Sequence, residues 1–216
     1  SSGVDYLVVN GTTAESATTS KEEKAKLLEV AIDVNKGRIP LMYGIGGNDT
    51  AEVIQRIGNT NFKAVDALLS VCPYYNKPSQ AGVIEHYKAI AAKSPVPVLA
   101  YNVPGRTGIN MSANTSIRLS EVVNIFGVKE ASGDLVQALE IIKNTPKEFL
   151  VISGDDLLAV PTISIGAVGA ISVLSNTYPE KFSEMIKAAI QSRFQHATET
   201  LITFTEINPL MYEEGN

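Results

Sequence analysis

The sequence predicts a parallel α/β fold closed into a barrel, and three observations carry that prediction. Strand-like apolar runs alternate with helical patterns along the whole chain, and the runs are continuously apolar, as strands covered on both faces require. Polar residues also gather at the C-terminal ends of nearly all the runs, which a barrel brings to one mouth and an open sheet spreads along an edge. No Gly-x-Gly-x-x-Gly turn follows the first strand, and Gly44-Ile45-Gly46-Gly47 is too loose a match for a dinucleotide fingerprint.

Taken in order, the strands fall at residues 6–10, 40–43, 67–71, 96–101, 125–130, 149–153 and 168–173. Gly11-Thr12-Thr13 closes the first and enters a helix through Glu15 and Ser16. Between the strands, apolar residues recur three and four apart: Leu27, Leu28, Ala31 and Ile32, then Ile84, Tyr87, Ile90 and Ala91, then Leu135, Leu139 and Ile142. Residues 179–204 form one long helical pattern opening on a proline suited to a first turn. The ends read as incomplete: there is no initiator methionine, Ser1-Ser2-Gly3-Val4 runs at once into a strand, and the stretch from Asn208 to Asn216 stops in mid-connection. Seven strands are found where a closed barrel has eight. No linker or low-complexity stretch divides the chain, so 1–216 is expected to be a single domain.

Composition narrows the function. The 216 residues are 44% hydrophobic and 19% charged with a net charge of −5, an ordinary globular balance without the dense basic patch that nucleic acid or an acidic membrane requires. No apolar run reaches spanning length and no leader pattern is visible. The single cysteine, Cys72, cannot pair within the chain, so a reducing, cytoplasmic compartment is expected, and its apolar strand makes it a small buried residue. Only two histidines, His86 and His196, leave little from which to build a histidine-rich metal site.

Lys129 stands in the middle of the apolar stretch Asn124-Ile125-Phe126-Gly127-Val128-Lys129-Glu130-Ala131-Ser132. Strand alternation sends Phe126 and Val128 to one face and Gly127 and Lys129 to the other. Two readings follow. Desolvation can lower the amine pKa so that it attacks a carbonyl and forms a Schiff base; alternatively, the lysine snorkels to solvent or pairs with Glu130. By alternation Glu130 points away from the lumen, toward the helical layer. The other strand ends supply candidate partners. Gly11-Thr12-Thr13 offers amides and hydroxyls that can hold a carboxylate at a helix start, or simply caps a turn. Tyr101 ends a strand and Arg106 follows inside a Pro/Gly turn; a phenol can relay protons and a guanidinium can grip a carboxylate, whereas a packing aromatic and a solvated charge are the plainer alternatives. Cys72-Pro73-Tyr74-Tyr75-Asn76-Lys77-Pro78 adds two tyrosines on a stiff loop, which otherwise read as interface or core packing.

Five ordered stretches resemble one known family. Gly11-Thr12-Thr13-x-Glu15-Ser16, Pro73-Tyr74-Tyr75-Asn76, Tyr101-Asn102-Val103-Pro104-x-Arg106-Thr107-Gly108, Val128-Lys129-Glu130-Ala131-Ser132-Gly133 and Ser153-Gly154-Asp155-Asp156 follow the order and spacing of the dihydrodipicolinate synthase family, class I aldolases akin to N-acetylneuraminate lyase. The likeness covers essentially the whole chain. It implies a (β/α)8 TIM barrel lacking, in this chain, its first βα unit and C-terminal helices, with two unpaired sheet edges. It implies that Lys129 forms an imine with pyruvate and, with no other cofactor, condenses it with L-aspartate 4-semialdehyde in lysine and diaminopimelate biosynthesis. Carried over position by position, Tyr101 is the proton donor and acceptor, Thr12 links it to Tyr75, and Tyr75 enters the site of a neighbouring subunit in a homodimer or homotetramer. Thr12 and Thr13 bind the pyruvate carboxylate, Arg106 binds that of the semialdehyde, and Gly154 and Ile171 line the pocket. Ala14 replaces the family's usual glycine.

The resemblance also matches Ala17, Lys21, Lys24, Asn48, Glu52 and Tyr74 to an effector pocket for L-lysine. Histidines stand at the positions of Lys21 and Lys24 in lysine-sensitive bacterial members, so two ammonium groups here imply weak or absent feedback by a cation. Two other readings remain at this stage: a pyruvate-dependent sugar-acid lyase or aldolase of the same family, which usually lacks the arginine at position 106, and a truncated, non-catalytic barrel fragment.

Overall fold

A computed structural model describes residues 3–214. In chain order it contains β1 (Leu7–Val9), α1 (Lys21–Asn35), β2 (Leu41–Gly44), α2 (Thr50–Asn59), β3 (Ala67–Val71), α3 (Gln80–Lys93) and β4 (Val98–Asn102). The short α4 (Pro104–Thr107), α5 (Ala113–Leu119), β5 (Ile125–Glu130), α6 (Leu135–Asn144), β6 (Leu150–Ser153), α7 (Ala159–Ser164) and β7 (Gly169–Ala170) follow, then α8 (Pro179–Ile190), α9 (Phe194–Ile202) and α10 (Ile207–Leu210). The strands form one curled parallel sheet in the order β1 to β7, wrapped by helices. No β1–β7 ladder is found among the described residues, but the edges lie close: the Tyr6 phenol donates to the Ala170 carbonyl at 3.2 Å. The terminal residues 1–2 and 215–216, on which part of the reading of incomplete ends rests, lie outside the described residues.

Local chemistry sets the helix starts. Ser20 caps α1 through a full capping box with Glu23, and Asp49, Ser79, Ser112 and Asp134 each accept amide hydrogen bonds at the starts of α2, α3, α5 and α6. Between sheet and helices lies the larger apolar cluster, with Leu41, Leu68, Val98 and Val128 meeting Val53, Val83, Ile90 and Ile141. A smaller cluster of Met42, Leu69, Leu99, Tyr101, Val103 and Ile152 fills the inside of the curl. Each fully buried aliphatic side chain contributes about 1.5–3 kcal/mol.

Three expectations are corrected. Simple alternation put Phe126 on the face of Val128, yet Phe126 packs with the inner cluster while Ile125 and Val128 pack outward. The register explains it: Val98 pairs with Ile125 but Leu99 with Gly127, a bulge that inserts one extra residue. The seventh strand, expected over 168–173, narrows to Gly169–Ala170, because one oxygen of the buried Asp156 accepts the amides of Val173 and Leu174 at 3.1 and 3.0 Å and turns the chain away. The single long helix expected over 179–204 is broken into α8 and α9 at Ser192, which adopts a left-handed φ of 61°. The break folds Phe204 back onto Phe182 and Tyr178, with ring centroids 6.0 and 5.8 Å apart.

Candidate active site

The site grows from β5 and its neighbours. The bulge places Lys129 opposite Tyr101 on β4, both facing inward, and the Lys129 ammonium lies over the Tyr101 ring at 4.1 Å from its centroid. Only 9% of Lys129 is exposed. Burial is the main force lowering its pKa from 10.5 to about 8; Arg106 adds to the fall, and the negative charge of Asp156 opposes it. Space for the long side chain comes from Gly154, where an added Cβ would sit 2.7 Å from the Ala131 Cβ and 2.9 Å from the Lys129 Cε.

Glu130 alternates to the other face. Its carboxylate accepts from Asn102 Nδ2 at 3.1 and 3.0 Å, from Gln137 Nε2 at 3.1 Å and from the Ser132 amide at 2.6 Å. These bonds tie β4, β5 and α6 together behind the lysine, so Glu130 is a brace and not the ion-pair partner of Lys129.

The Tyr101 phenol is hydrogen-bonded to the side chain of Thr12, and burial raises its pKa to about 12. Thr12 begins a single 3-10 turn, Thr12–Ala14, in place of the expected helix start; α1 begins only at Lys21. The turn is located by Asn10, whose side-chain amide donates to the Gly44 carbonyl at 2.8 Å. Thr12, Thr13, Lys129 and Ile171 line one cavity of about 540 Å³ that runs between β1, β7 and α8. Arg106 sits exposed on α4 at the mouth, close enough for its charge to act on both Lys129 and Tyr101. Tyr75 is not part of this cluster: it is 85% exposed, with a left-handed φ of 69° and its amide donated to the Thr107 carbonyl at 3.2 Å.

Two residues complete the site that pattern reading did not assign. Asp156 is 5% exposed, and its second carboxylate oxygen, Oδ1, has no hydrogen-bond partner among the described residues. Burial raises its pKa, partly offset by bonds from Ser172 and the amides of Leu174 and Val173. Its place in Ser153-Gly154-Asp155-Asp156 was the available signal. Tyr212 returns from the C-terminal segment to the charges of Asp156, Arg106 and Asp155, and nothing local in the sequence forecasts that long-range approach.

The dihydrodipicolinate synthetase family model matches residues 1–216. The chain belongs to that family. A 4-hydroxy-tetrahydrodipicolinate synthase of Cytophaga hutchinsonii is 88% identical over 216 residues, which is 100% of this chain and 73% of that relative. Among solved structures, dihydrodipicolinate synthase from Aquifex aeolicus superposes with a TM-score of 0.91 at 38% identity, covering 95% of this chain and 71% of the other. The chloride-inhibited dihydrodipicolinate synthase from Acinetobacter baumannii, complexed with pyruvate, gives 0.91 at 39% identity over 95% and 71%.

Of the six positions matched to an effector pocket, Lys24 and Glu52 lie within each other's electrostatic reach. Asn48 and Asn76 bond reciprocally, at 3.3 Å from the Asn48 amide and 3.0 Å back to its carbonyl, which brings Asn48 to the loop carrying Tyr74. Ala17 lies on an exposed turn, and Lys21 opens α1. Cys72 is buried and its thiol is pushed up to about 12 by burial, so it is no nucleophile at neutral pH.

Proposed function

We propose that this chain, a single domain over 1–216, condenses pyruvate with L-aspartate 4-semialdehyde through an imine on Lys129, the reaction of a 4-hydroxy-tetrahydrodipicolinate synthase in lysine and diaminopimelate biosynthesis. The observation that carries the reading is the buried amine with its pKa lowered to about 8. At pH 7 roughly a tenth of such an amine is neutral, against about 0.03% of an ordinary lysine. The neutral Nζ attacks the pyruvate keto carbon, and loss of water leaves the imine. Removal of a methyl proton gives an enamine, whose carbon attacks the semialdehyde carbonyl. The semialdehyde's own amine then closes on the imine carbon and releases Lys129.

Tyr101 carries protons through these steps, because its ring lies against the amine and its phenol is hydrogen-bonded to Thr12. Thr12 and Thr13 hold the pyruvate carboxylate, Gly154 and Ile171 shape the pocket, and Arg106 at the mouth receives the semialdehyde carboxylate. Arg106 favours the synthase over a sugar-acid lyase. The exposure of Tyr75 supports its completing the proton relay in a second copy of the chain, and hence a homo-oligomer. The parallel order β1 to β7 and the Tyr6–Ala170 bridge support a (β/α)8-type barrel whose two edges face each other across the cavity. Lys21 and Lys24 support weak feedback by L-lysine; half-inhibition at submillimolar L-lysine overturns that part. No helix among the described residues is long and apolar enough to cross a membrane.

Borohydride reduction with pyruvate tests the chemistry. A pyruvate adduct on Lys129, with turnover when L-aspartate 4-semialdehyde is supplied, is the expected result. No adduct makes the chain a non-catalytic member, and an adduct with turnover of a sugar acid alone makes it a lyase of the other type.

A further inference from the structure

We propose that a second cavity, between α1 and α2 on the outside of the sheet, binds a small organic anion with an apolar body. The cavity measures about 430 Å³, a volume suited to a small molecule. Its floor is apolar: Leu28, Tyr43 and Ile45 are 6%, 5% and 1% exposed. Its rim carries Lys21 and Lys24 from α1 and Arg56 from α2. Backbone carbonyls hold two of these cations in place, with Lys24 Nζ donating to Thr19 at 2.8 Å and Arg56 Nη1 to Gly46 at 2.9 Å. Each bond uses one donor of a group that has three or five, so N–H groups remain for a ligand.

The opposing charges do not cancel this rim. Glu29, which also lines the cavity, is engaged by Lys26 at 3.3 Å, and Glu52 acts on Lys24 from α2. Glu23 also acts on Lys24, so Lys21, Lys24, Lys26 and Arg56 face Glu23, Glu29 and Glu52, four cations against three carboxylates, and Lys24 is pushed toward its neutral form by burial first and by Arg56 second. An anionic head relieves that repulsion while an apolar body covers Leu28 and Ile45. A cationic amino acid meets like charge instead. Carboxylate and phosphate heads share the required chemistry. The inference stands apart from the imine reaction and survives if that reading fails.

The test is calorimetric titration of the chain with phenyl phosphate and with 3-phenylpropionate, which distinguish the two head groups, and with phenethylamine as the cationic counterpart. At least one of the two anions is expected to bind, phenethylamine is not, and inorganic phosphate, lacking the body, is expected to bind at least about tenfold more weakly. Arg56→Met and Lys24→Gln should each weaken the anion at least about tenfold, roughly what one charge-assisted hydrogen bond contributes. Should Arg56→Met unfold for want of its bond to Gly46, the half-exposed Lys24→Gln carries the test alone. Binding unchanged in Lys24→Gln, equal binding of phenethylamine, or no binding of either organic anion overturns the proposal.

Discussion

Replacing Lys129 with methionine should make the protein more stable while abolishing its chemistry. The fall of the Lys129 pKa from 10.5 to about 8 means that holding the charged amine in the fold costs about 3 kcal/mol, at about 1.4 kcal/mol per tenfold change in proton affinity. The favourable contributions of the Tyr101 ring and Asp156 are already contained in that net value. The sign follows from the protons. Below pH 8 the amine is charged in both folded and unfolded chains, so the fold bears the whole cost. Between pH 8 and 10.5 the folded amine is neutral while the unfolded one still binds a proton, and stability rises with pH. Above 10.5 the cost is gone. Methionine fills similar volume without the charge, so Lys129→Met should gain about 3 kcal/mol at pH 7, a rise in Tm of roughly 6–12 °C for a chain of this length. The gap should close as the pH is raised from 8 to 10.5. Urea and thermal denaturation followed by circular dichroism across that range measure it, beside borohydride trapping to verify loss of the adduct. A variant no more stable than its parent at pH 7, or a gap unchanged at pH 10.5, refutes the reasoning.

Other perturbations separate the parts of the site. Asp156→Asn removes the negative charge that holds the Lys129 pKa up, so the midpoint of the pH profile for pyruvate adduct formation should move below about 8; a midpoint that stays or rises contradicts it. Gly154→Ala places a methyl against the Lys129 Cε and the Ala131 Cβ, and the displaced amine should trap pyruvate about a hundredfold more slowly; trapping at the parent rate shows that the lysine needs no such clearance. Glu130→Ala strands the side-chain donors of Asn102 and Gln137 and the Ser132 amide, and urea unfolding should register a loss of about 3 kcal/mol or more, with Glu130→Gln milder. Equal stability of the two variants would mean the network contributes little.

The parts of the candidate site whose place in the fold was legible in the sequence are those fixed by short-range pattern. Lys129 and Tyr101 lie at the ends of continuous apolar runs, and Thr12 follows at once on a strand, so strand direction alone delivers them to one end of the sheet. The outward role of Glu130 follows from alternation, whereas the inward pairing of lysine with phenol needs the β5 bulge, which no local pattern announces. What escaped depends on contacts between distant segments. The last strand is cut short by a carboxylate seventeen residues upstream of its expected end, where amide capture by Asp156 outcompetes β propensity at Val173. The break at Ser192 has no glycine or proline to announce it; aromatic packing of Phe204 against Phe182 and Tyr178 accompanies the return of the chain. Tyr212 reaches Arg106 only because of that return.

The bulge on β5 has a consequence best put as parity. With unbroken register, Val98 opposite Ile125 would put Asn102, not Tyr101, opposite Lys129, and Asn102 turns its amide to the helical layer. One surplus residue at Phe126 changes an even count to an odd one and puts amine and phenol on the same side. The nucleophile's direction is therefore encoded upstream of the nucleophile, in the length of the strand before it, and a substitution at Lys129 leaves that setting untouched whereas a one-residue deletion at Phe126 inverts it.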